Sequence, residues 1–196
     1  MNTFLRPALV LFLLLSVICC GLYPLAVTGI GKVAFADQVA GSLLPSEKAG
    51  ALPIGSRLIG QAFSSPTYFW SRPSATAPMP NNATSSSGSN LGAVNPALID
   101  AVKGRIDALK AADPHNKLPI PVDLVTASAS GLDPDISVAA AYYQVSRVAQ
   151  ARRMQVDQVR RLVDTLKTDR QFGFLGEPSV NVLALNTALD KAHVGE

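Results

Sequence analysis

The sequence predicts an α+β protein: one N-terminal transmembrane helix followed by a single extracytoplasmic α+β domain. No charged residue lies between Arg6 and Lys32, and about 20 apolar residues suffice to cross a hydrocarbon core of about 30 Å. Residues 33–95 are rich in Gly, Pro, Ser and Asn, with short apolar runs. Beyond them the apolar residues recur with the spacing of helices. Extended structure is therefore expected first, followed by three or four helices.

The predicted organisation has three parts: a short cytoplasmic tail over residues 1–6, an anchor helix over residues 7–31 and an exported domain over residues 33–196. The triplet Ala34-Phe35-Ala36 resembles the cleavage site of a signal peptide. The uncharged run is much longer than the apolar region of about 7–15 residues in such peptides. An uncleaved anchor is favoured, with Pro24 as a potential kink.

Charge and cysteine content narrow the function. Arg6 and Lys32 place one charge on each side of the anchor, and the amino terminus adds a second on the Arg6 side, so the N-terminus is expected in the cytoplasm. Beyond the anchor, 15 basic residues stand against 14 acidic ones, without the concentrated basic face of a nucleic-acid binder. Cys19 and Cys20 both lie in the anchor, which leaves the domain no disulfide framework.

The first half of the domain is expected to contain short strands and an irregular loop. Apolar runs at 57–59 and 67–70 suggest strands between turns, and residues 78–90 form a Pro-, Asn- and Ser-rich loop. Asn95 is a predicted N-cap, and Pro96 suits the first position of the helix that follows.

That helix is predicted from one apolar stripe, which consists of Leu98, Val102, Ile106 and Leu109. It is expected to end at Asp113-Pro114. Residues 122–127 are predicted to form a short buried strand. A turn at 131–134 then leads to a helix capped by Ser137.

Two helices are predicted from their apolar positions, Ala141, Val145 and Val148 in the first and Val156, Val159, Val163 and Leu166 in the second. A connector over residues 173–178 follows. An apolar strand-to-helix segment over residues 180–189 completes the domain.

The sequence offers little for metal binding or nucleotide binding. His115 and His193 stand alone in the sequence, and no Walker-type phosphate loop occurs. The loop 85–92 could offer backbone N–H groups to an anion, and its weak candidate residues are Ser87, Gly88, Ser89 and Asn90. A flexible loop is the simpler interpretation.

Nucleophilic catalysis is also weakly supported. Ser128 and Ser130 do not form a nucleophile elbow, and a serine nucleophile needs a base brought close in space. An exported serine hydrolase is kept as an alternative.

An aromatic run ends in an arginine at residues 68–72, Tyr-Phe-Trp-Ser-Arg. It predicts either a strand at the edge of the core, with Arg72 capping a neighbouring turn, or a docking edge, because aromatic and arginine residues are favoured at interface hot spots. Both interpretations stay open at this point.

Taken together, these segments closely resemble the C subunit of the Kdp potassium-transporting ATPase. The matching segments follow the family's order through almost the whole chain: 6–9, 21–25, 41–44, 58–63, 68–75, 88–92, 95–96, 122–152 and 180–190. The chain departs from the family pattern at Asp135, where the family tends to carry His. It departs again at Ser87-Gly88, where a glycine pair is usual.

The resemblance implies a non-catalytic accessory subunit of an ATP-driven, high-affinity potassium import complex. Such a subunit is a single-pass protein of the inner (cytoplasmic) membrane, is needed for assembly, and acts as a catalytic chaperone that raises the ATP affinity of the P-type ATPase subunit. ATP and K+ are handled by the complex, so no catalytic residue, metal ligand or bound cofactor is expected in this chain. A subunit that itself binds nucleotide through the loop 85–92 is the alternative.

The implied partners are the potassium-binding channel-like subunit, the P-type ATPase subunit, the small single-helix subunit and membrane lipid, without nucleic acid. Interface candidates are Gly21, Tyr23, Pro24, Gln61, Tyr68, Phe69, Arg72, Asn90, Ser128, Asp133 and Arg147. The carboxylates of Asp123, Asp133 and Asp135 are further candidates for raising the local cation concentration.

Overall fold

The computed structural model describes residues 2–46 and 50–194, and the chain divides into two units, residues 1–43 and 44–196. The first unit is helical and consists of α1 (Asn2–Ser16), a π-helical turn (Val17–Leu22), α2 (Tyr23–Ala34) and the short α3 (Ala36–Val39). The stretch Thr3–Ala34 is the one helix of the described residues that is long and apolar enough to cross a membrane. This agrees with the predicted anchor.

Pro24 explains the π-helical turn. Proline has no N–H, and in an α-helix its ring clashes with the carbonyl four residues earlier. Here the Tyr23 N–H donates to the Ile18 carbonyl, five residues back. The helix therefore takes up one extra residue before Pro24 and continues past it as α2.

The second unit contains most of the secondary structure. Its elements are β1 (Leu43–Leu44) at the junction, β2 (Gly55–Ser56), α4 (Pro96–Ala112), a 3₁₀ turn (Val122–Leu124), β3 (Asp135–Ser137), α5 (Val138–Arg152), α6 (Val156–Leu166), β4 (Lys167–Thr168), β5 (Ser179–Asn181) and α7 (Val182–Val194). The mixed helix and sheet content confirms the α+β prediction, and α4 to α7 are the expected helices.

A small antiparallel sheet joins the helices of the second unit. Its strand order is β3-β5-β4, and Val180 of β5 is paired with Ile136 of β3 and with Lys167 of β4. β3 leads directly into α5 and β5 directly into α7. The sheet therefore fixes where both of these helices begin.

The core lies between α5, α6, α7 and the sheet. Side chains that are at most 2% exposed include Phe69, Ile136, Val148, Val159, Val163, Val180, Leu185 and Leu189. The stripe of α4 packs against this core, with Leu109 buried and Val102 and Ile106 partly buried. Most of the predicted apolar positions are thus confirmed, but Val156 is 50% exposed because it opens α6.

Both predicted helix caps are present. The Asn95 side chain accepts a hydrogen bond from the Ala97 N–H at 2.9 Å, with Pro96 at the first helical position. The Ser137 hydroxyl accepts from the Ala140 N–H at 3.0 Å. Helix α4 ends at Ala112, directly before the predicted Asp113-Pro114 stop.

Three of the predicted strands are wrong. Residues 57–59 form a turn. Residues 67 and 68 lie in a turn and a bend, and residues 69 and 70 pair with no strand among the described residues. Residues 122–127 contain the 3₁₀ turn instead of a strand, although Leu124 and Val125 are buried as expected. The pairing strand of this region is β3, eight residues beyond the end of that predicted strand.

Candidate functional site

The aromatic segment, residues 66–73, begins in a turn and continues without regular secondary structure, and side chains hold it instead of a neighbouring strand. Five consecutive backbone carbonyls, those of residues 66–70, accept hydrogen bonds from side chains of α5 or α7. Buried backbone groups must be paired with something. In this segment four side chains donate the hydrogen bonds that a neighbouring strand would otherwise donate: Gln144, Arg147, Arg152 and Asn186.

Two carboxamides pair with the backbone of Phe69 and Trp70. Asn186 of α7 accepts from the Phe69 N–H at 2.9 Å and donates to the Phe69 carbonyl at 3.0 Å. Gln144 of α5 accepts from the Trp70 N–H at 2.8 Å and donates to the Trp70 carbonyl at 3.1 Å. Because Asn186 and Gln144 are 2% and 1% exposed, these pairs are shielded from competing water.

Two arginines of α5 clamp the start of the segment. Arg147 donates to the carbonyls of Pro66 and Tyr68 at 2.6 and 3.1 Å, and its guanidinium stacks 4.7 Å from the Trp70 ring. Arg152 donates to the Thr67 carbonyl at 2.6 Å. Planar guanidinium groups suit this combination of forked donation and aromatic stacking.

Arg147 is a buried cation, 5% exposed. Among the described residues no carboxylate lies within ion-pair distance of it. Burial lowers the pKa of Arg147 to about 10, while the charge of Asp113 acts in the opposite direction. The guanidinium stays charged at neutral pH, and carbonyl oxygens stabilise its charge. Arg147 therefore fixes the conformation of the aromatic segment.

The far end of the segment is fixed by an ion pair. The Arg72 guanidinium donates to the Asp133 carboxylate at 2.9 Å, with the side chains 26% and 28% exposed. The other Asp133 oxygen accepts from the Asp135 N–H at 3.1 Å. Ser71 donates through its hydroxyl to the Gln61 carbonyl at 2.8 Å. Arg72 is thus tied to the turn before β3 through the Asp133 side chain, but the edge strand that the first of the two sequence interpretations placed here is not formed.

Gly131 allows its turn to lie close to Ser74, Thr76 and Ser87, beyond the end of the segment. Its φ is +67°, and an added Cβ would lie 2.6 Å from the Thr76 methyl carbon and 2.7 Å from the Ser87 carbonyl oxygen. Its own carbonyl accepts from the Ser74 hydroxyl at 2.7 Å. Only glycine meets both the backbone conformation and the spacing.

A cavity of about 290 Å³ lies beside the segment, and Arg72 and Arg105 contribute to its lining. Arg105 donates to the Val125 carbonyl at 2.8 Å, and burial lowers its pKa. The Arg72 Nε atom is buried without a hydrogen-bond partner among the described residues. Asp133 neutralises Arg72, so Arg105 is the guanidinium of this lining that has no carboxylate partner among the described residues.

The loop 85–92 is held against residues 129–131. The Ser87 N–H donates to the Ser130 carbonyl at 3.0 Å, and a Cβ on Gly88 would lie 2.8 Å from the Ala129 carbonyl oxygen. Asn90 has a φ of +52° and is exposed, as is Ser89. The Ser87 N–H is thus committed within the fold and is not available to an anion.

The candidate nucleophiles have structural contacts. Ser128 is 5% exposed, and its N–H donates to the Pro73 carbonyl at 3.3 Å. The Ser130 hydroxyl accepts from the Leu132 N–H at 3.1 Å. These contacts hold the turn under the aromatic segment.

The three carboxylates proposed to attract cations are each engaged by neighbouring groups. Asp123 accepts from the N–H and the hydroxyl of Ser137 at 2.8 and 3.1 Å. Asp135 accepts from the Ser179 hydroxyl and the Asn181 amide at 3.1 and 3.0 Å. Among the described residues no group of three or more metal-ligating side chains occurs.

The sequence interpretation missed an exposed aromatic hairpin, residues 170–177, which it had assigned largely to a connector. Phe172 and Phe174 are 80% and 72% exposed, and residues 171 and 175 form a bridge. Arg170 pairs with Glu177 across the hairpin at 2.7 Å. The available signal was the Phe-Gly-Phe-Leu run, which places apolar residues in a polar surrounding.

In the first unit the candidates Gly21, Tyr23 and Pro24 lie at the π-helical turn. Tyr23 is 66% exposed, and a Cβ on Gly21 would meet nothing within 4 Å. This region of the helix offers an open surface with one small residue.

Comparison with known families gives a match over nearly the whole chain. The family described as KdpC: K+-transporting ATPase, c chain, matches residues 5–191. This chain belongs to the KdpC family. It is thus a subunit type of a potassium-transporting ATPase, as the resemblance implied.

Curated relatives of this KdpC chain agree over their full lengths. The "Potassium-transporting ATPase KdpC subunit" of Herminiimonas arsenicoxydans is 64% identical over 193 residues, covering 98% of this chain and 100% of the relative. The protein of the same name from Janthinobacterium sp. (strain Marseille) is 61% identical over 191 residues, covering 97% and 100%. That of Herpetosiphon aurantiacus is 60% identical over 191 residues, covering 97% of each chain.

The interface candidates of this KdpC chain fall into two groups. Phe69, Ser128 and Arg147 are buried, so they set the position of their neighbours. Those with exposed or partly exposed surface are Gly21, Tyr23, Pro24, Gln61, Tyr68, Arg72, Asn90 and Asp133. The structure brings Tyr68, Phe69, Arg72, Asp133 and Arg147 together around the aromatic segment.

Proposed function

We propose that this chain is a single-span accessory subunit of an ATP-driven, high-affinity potassium import complex and is needed for its assembly. The observation that carries the proposal is the family match over residues 5–191 in a chain with one candidate membrane-spanning helix. One helix can anchor a domain but cannot enclose an ion pathway, so transport requires other subunits.

The N-terminus lies in the cytoplasm in this proposal, and residues 33–196 lie outside the inner (cytoplasmic) membrane. The amino terminus and Arg6 place two positive charges on the cytoplasmic side against Lys32 on the other, which supports this orientation. The absence of cysteine from the domain is compatible with export without disulfide formation.

The subunit is proposed to be non-catalytic. The candidate serines, aspartates and arginines support the aromatic segment and its turns. A subunit with its domain outside the membrane cannot touch cytoplasmic ATP. We therefore attribute any rise in the ATP affinity of the P-type ATPase subunit to coupling through the complex.

The exposed aromatic hairpin supports dependence on a partner. Its stem carries two ion pairs, Lys167–Asp169 at 3.5 Å and Arg170–Glu177 at 2.7 Å, so its charges are locally balanced. A neutral apolar tip fits an apolar pocket of a protein better than an anionic lipid surface, which attracts net positive charge. The proposed partner is the potassium-binding, channel-like subunit, whose outer mouth the domain would cover.

Removal of the domain tests the proposal. Cells that depend on the complex and produce a chain lacking residues 33–196 should fail to grow at micromolar potassium. They should grow normally at millimolar potassium, where other uptake systems suffice. Normal growth of these cells at micromolar potassium would reject the proposal.

A further inference from the structure

The walls of the cavity beside the aromatic segment are fixed by hydrogen bonds within the protein. The Asn81 N–H donates to the Ser74 hydroxyl at 2.9 Å, and the Ser71 hydroxyl donates to the Gln61 carbonyl at 2.8 Å. Ser71, Ser74 and Asn81 all contribute to the lining. Because these groups are already paired, the cavity has its shape before a ligand enters, as is usual for ligand pockets.

The size and the apolar walls of the cavity suit a small organic group. Its volume of about 290 Å³ lies at the lower end of the range of about 300–1,000 Å³ that is usual for ligand pockets. Phe63, Trp70, Leu109 and Leu124 supply apolar surface, and the last two are each 5% exposed. A short aliphatic group fits this space better than a nucleotide, whose phosphates need several N–H or cationic donors.

Arg105 gives the cavity its net charge. Its Nη1 donates to the Val125 carbonyl at 2.8 Å, which fixes the guanidinium at the wall. Among the described residues no carboxylate lies within ion-pair distance of Arg105, and no acidic residue contributes to the lining. The positions of α4 that are three or four residues from Arg105 carry only apolar side chains: Ala101, Val102, Ala108 and Leu109.

We propose that this cavity binds a carboxylate group on a short aliphatic stem, with Arg105 as its ionic partner. A planar carboxylate matches the fork of a guanidinium and can accept two of its N–H groups. A phosphate monoester carries more negative charge than the single unpaired guanidinium balances. Burial lowers the pKa of Arg105, and a bound carboxylate would offset the desolvation that causes this shift.

Two sources supply a group of this chemistry: a free organic acid, or an aspartate or glutamate side chain of another subunit. Both present the same carboxylate to Arg105. Only the second source rests on the proposed function, because it requires the assembled complex.

Titration of the full chain in detergent with butyrate, at constant ionic strength, tests the site. Butyrate carries a carboxylate on a propyl stem, and Trp70, the only tryptophan of the chain, reports binding by its fluorescence from the cavity wall. The fluorescence should change saturably, with a Kd of about 1–10 mM. Butyramide has nearly the same shape without the charge and should give no saturable change. No saturable change with butyrate up to about 100 mM, or an equal response to butyramide, would overturn the proposal.

Three variants locate the binding within the chain. Arg105→Gln should weaken butyrate binding at least about tenfold, because the charged hydrogen bonds are lost. Lys110→Gln is the matched control, since it removes the same charge from an exposed position of α4, and it should change the Kd by less than about twofold.

Ala108→Leu covers the case in which Arg105→Gln fails to fold. Ala108 is exposed and contributes to the lining, so the larger side chain should fill the cavity and abolish butyrate binding with Arg105 in place. Wild-type affinity in both cavity variants, or an equal loss in Lys110→Gln, would contradict binding at this site.

The purified complex distinguishes the two sources. If a side chain of another subunit occupies the cavity, the complex should bind butyrate at least about tenfold more weakly than the chain alone, and Arg105→Gln should lower recovery of the other subunits. If the ligand is a free acid, the chain and the complex should bind butyrate equally and recovery should not change. If the wild-type chain recovers no other subunit, the proposed function is rejected, whereas butyrate binding by the chain alone decides the cavity separately.

Discussion

The side-chain amide of Asn186 hydrogen-bonds both backbone groups of Phe69, accepting at 2.9 Å and donating at 3.0 Å. This pair joins α7 to the aromatic segment across 117 residues of sequence. Phe69 itself is fully buried. A carboxamide thus acts here as a one-residue strand partner, and the packing of the most buried aromatic ring depends on it.

Replacement of Asn186 by Leu should destabilise the fold. It leaves the Phe69 N–H and carbonyl unpaired in the core, and each orphaned group costs about 1–3 kcal/mol. The expected loss in free energy of unfolding is about 2–4 kcal/mol. Urea unfolding of the full chain in detergent measures it through Trp70, the only tryptophan of the chain.

Thr187→Ala is the matched control for Asn186→Leu. Its hydroxyl bonds only to the Leu183 carbonyl within α7, so the loss should stay below about 1 kcal/mol. Similar losses for the two variants would show that the Phe69 contact contributes little.

Gly131→Ala and Gly104→Ala should have opposite effects on stability. The added methyl at Gly131 would face backbone and side-chain atoms at 2.6–2.7 Å, at a φ of +67°, so a loss above about 2 kcal/mol is expected. Gly104 lies inside α4 with nothing within 4 Å of a Cβ. Alanine there should stabilise by about 0.5–1 kcal/mol. Thermal unfolding of both variants would decide, and a stabilised Gly131→Ala would contradict the close approach seen here.

Alkaline pH should remove the contribution of Tyr142. Its hydroxyl donates to Asp164, and this hydrogen bond is the main reason that the pKa of Tyr142 is raised. A raised folded-state pKa means that the stabilisation is complete below the unfolded value of about 10. It is then lost as the pH rises through the folded value.

Comparison with Tyr142→Phe isolates the contribution of the Tyr142–Asp164 hydrogen bond to stability. Wild type should be more stable than Tyr142→Phe by about 0.5–1 kcal/mol at pH 7–9, since the pair is largely exposed. The difference should shrink above pH 10. An unchanged difference at high pH would show that the Tyr142 proton is not involved.

The aromatic hairpin should be needed for assembly and not for folding. Phe172→Asn removes the first ring and introduces a residue that tolerates the φ of +55° seen at this position. Phe174→Ser removes the second ring. The free energy of unfolding of the double variant should stay within about 0.5 kcal/mol of the wild-type value, as expected for exposed positions. Its recovery with the other subunits should fall.

Val94→Ser is the control for the hairpin, since Val94 is 90% exposed and lies elsewhere in the domain. It should leave recovery unchanged. Full recovery of the other subunits with the double hairpin variant would remove the hairpin from the docking surface.

Local signals predicted the helices well. Asn95 and Ser137 cap α4 and α5 through contacts of two or three residues, and such contacts are encoded within one turn of the sequence. The long uncharged run likewise predicted the candidate membrane helix. The helix caps and the membrane helix depend on residues that are close in the sequence, so the sequence alone predicts them.

The aromatic segment could not be read in the same way. Its apolar run suggested a strand, yet its partners are side chains of Gln144 and Asn186, 74 and 117 residues further on. Polar residues in the middle of otherwise apolar helices were the available signal. The residues next to such an amide in the sequence do not indicate whether it hydrogen-bonds to backbone, water or another subunit.

The long separations around the aromatic segment also set an order of events during synthesis. Residues 66–70 emerge from the ribosome well before Asn186, and their partners in α5 and α7 come 74 to 117 residues later. Until α7 exists, the Phe69 N–H and carbonyl lack their partner Asn186 and stay bonded to water. The native environment of Phe69 is therefore completed only by the last helix of the chain, and a domain that depends on its final segment in this way suits translocation before folding.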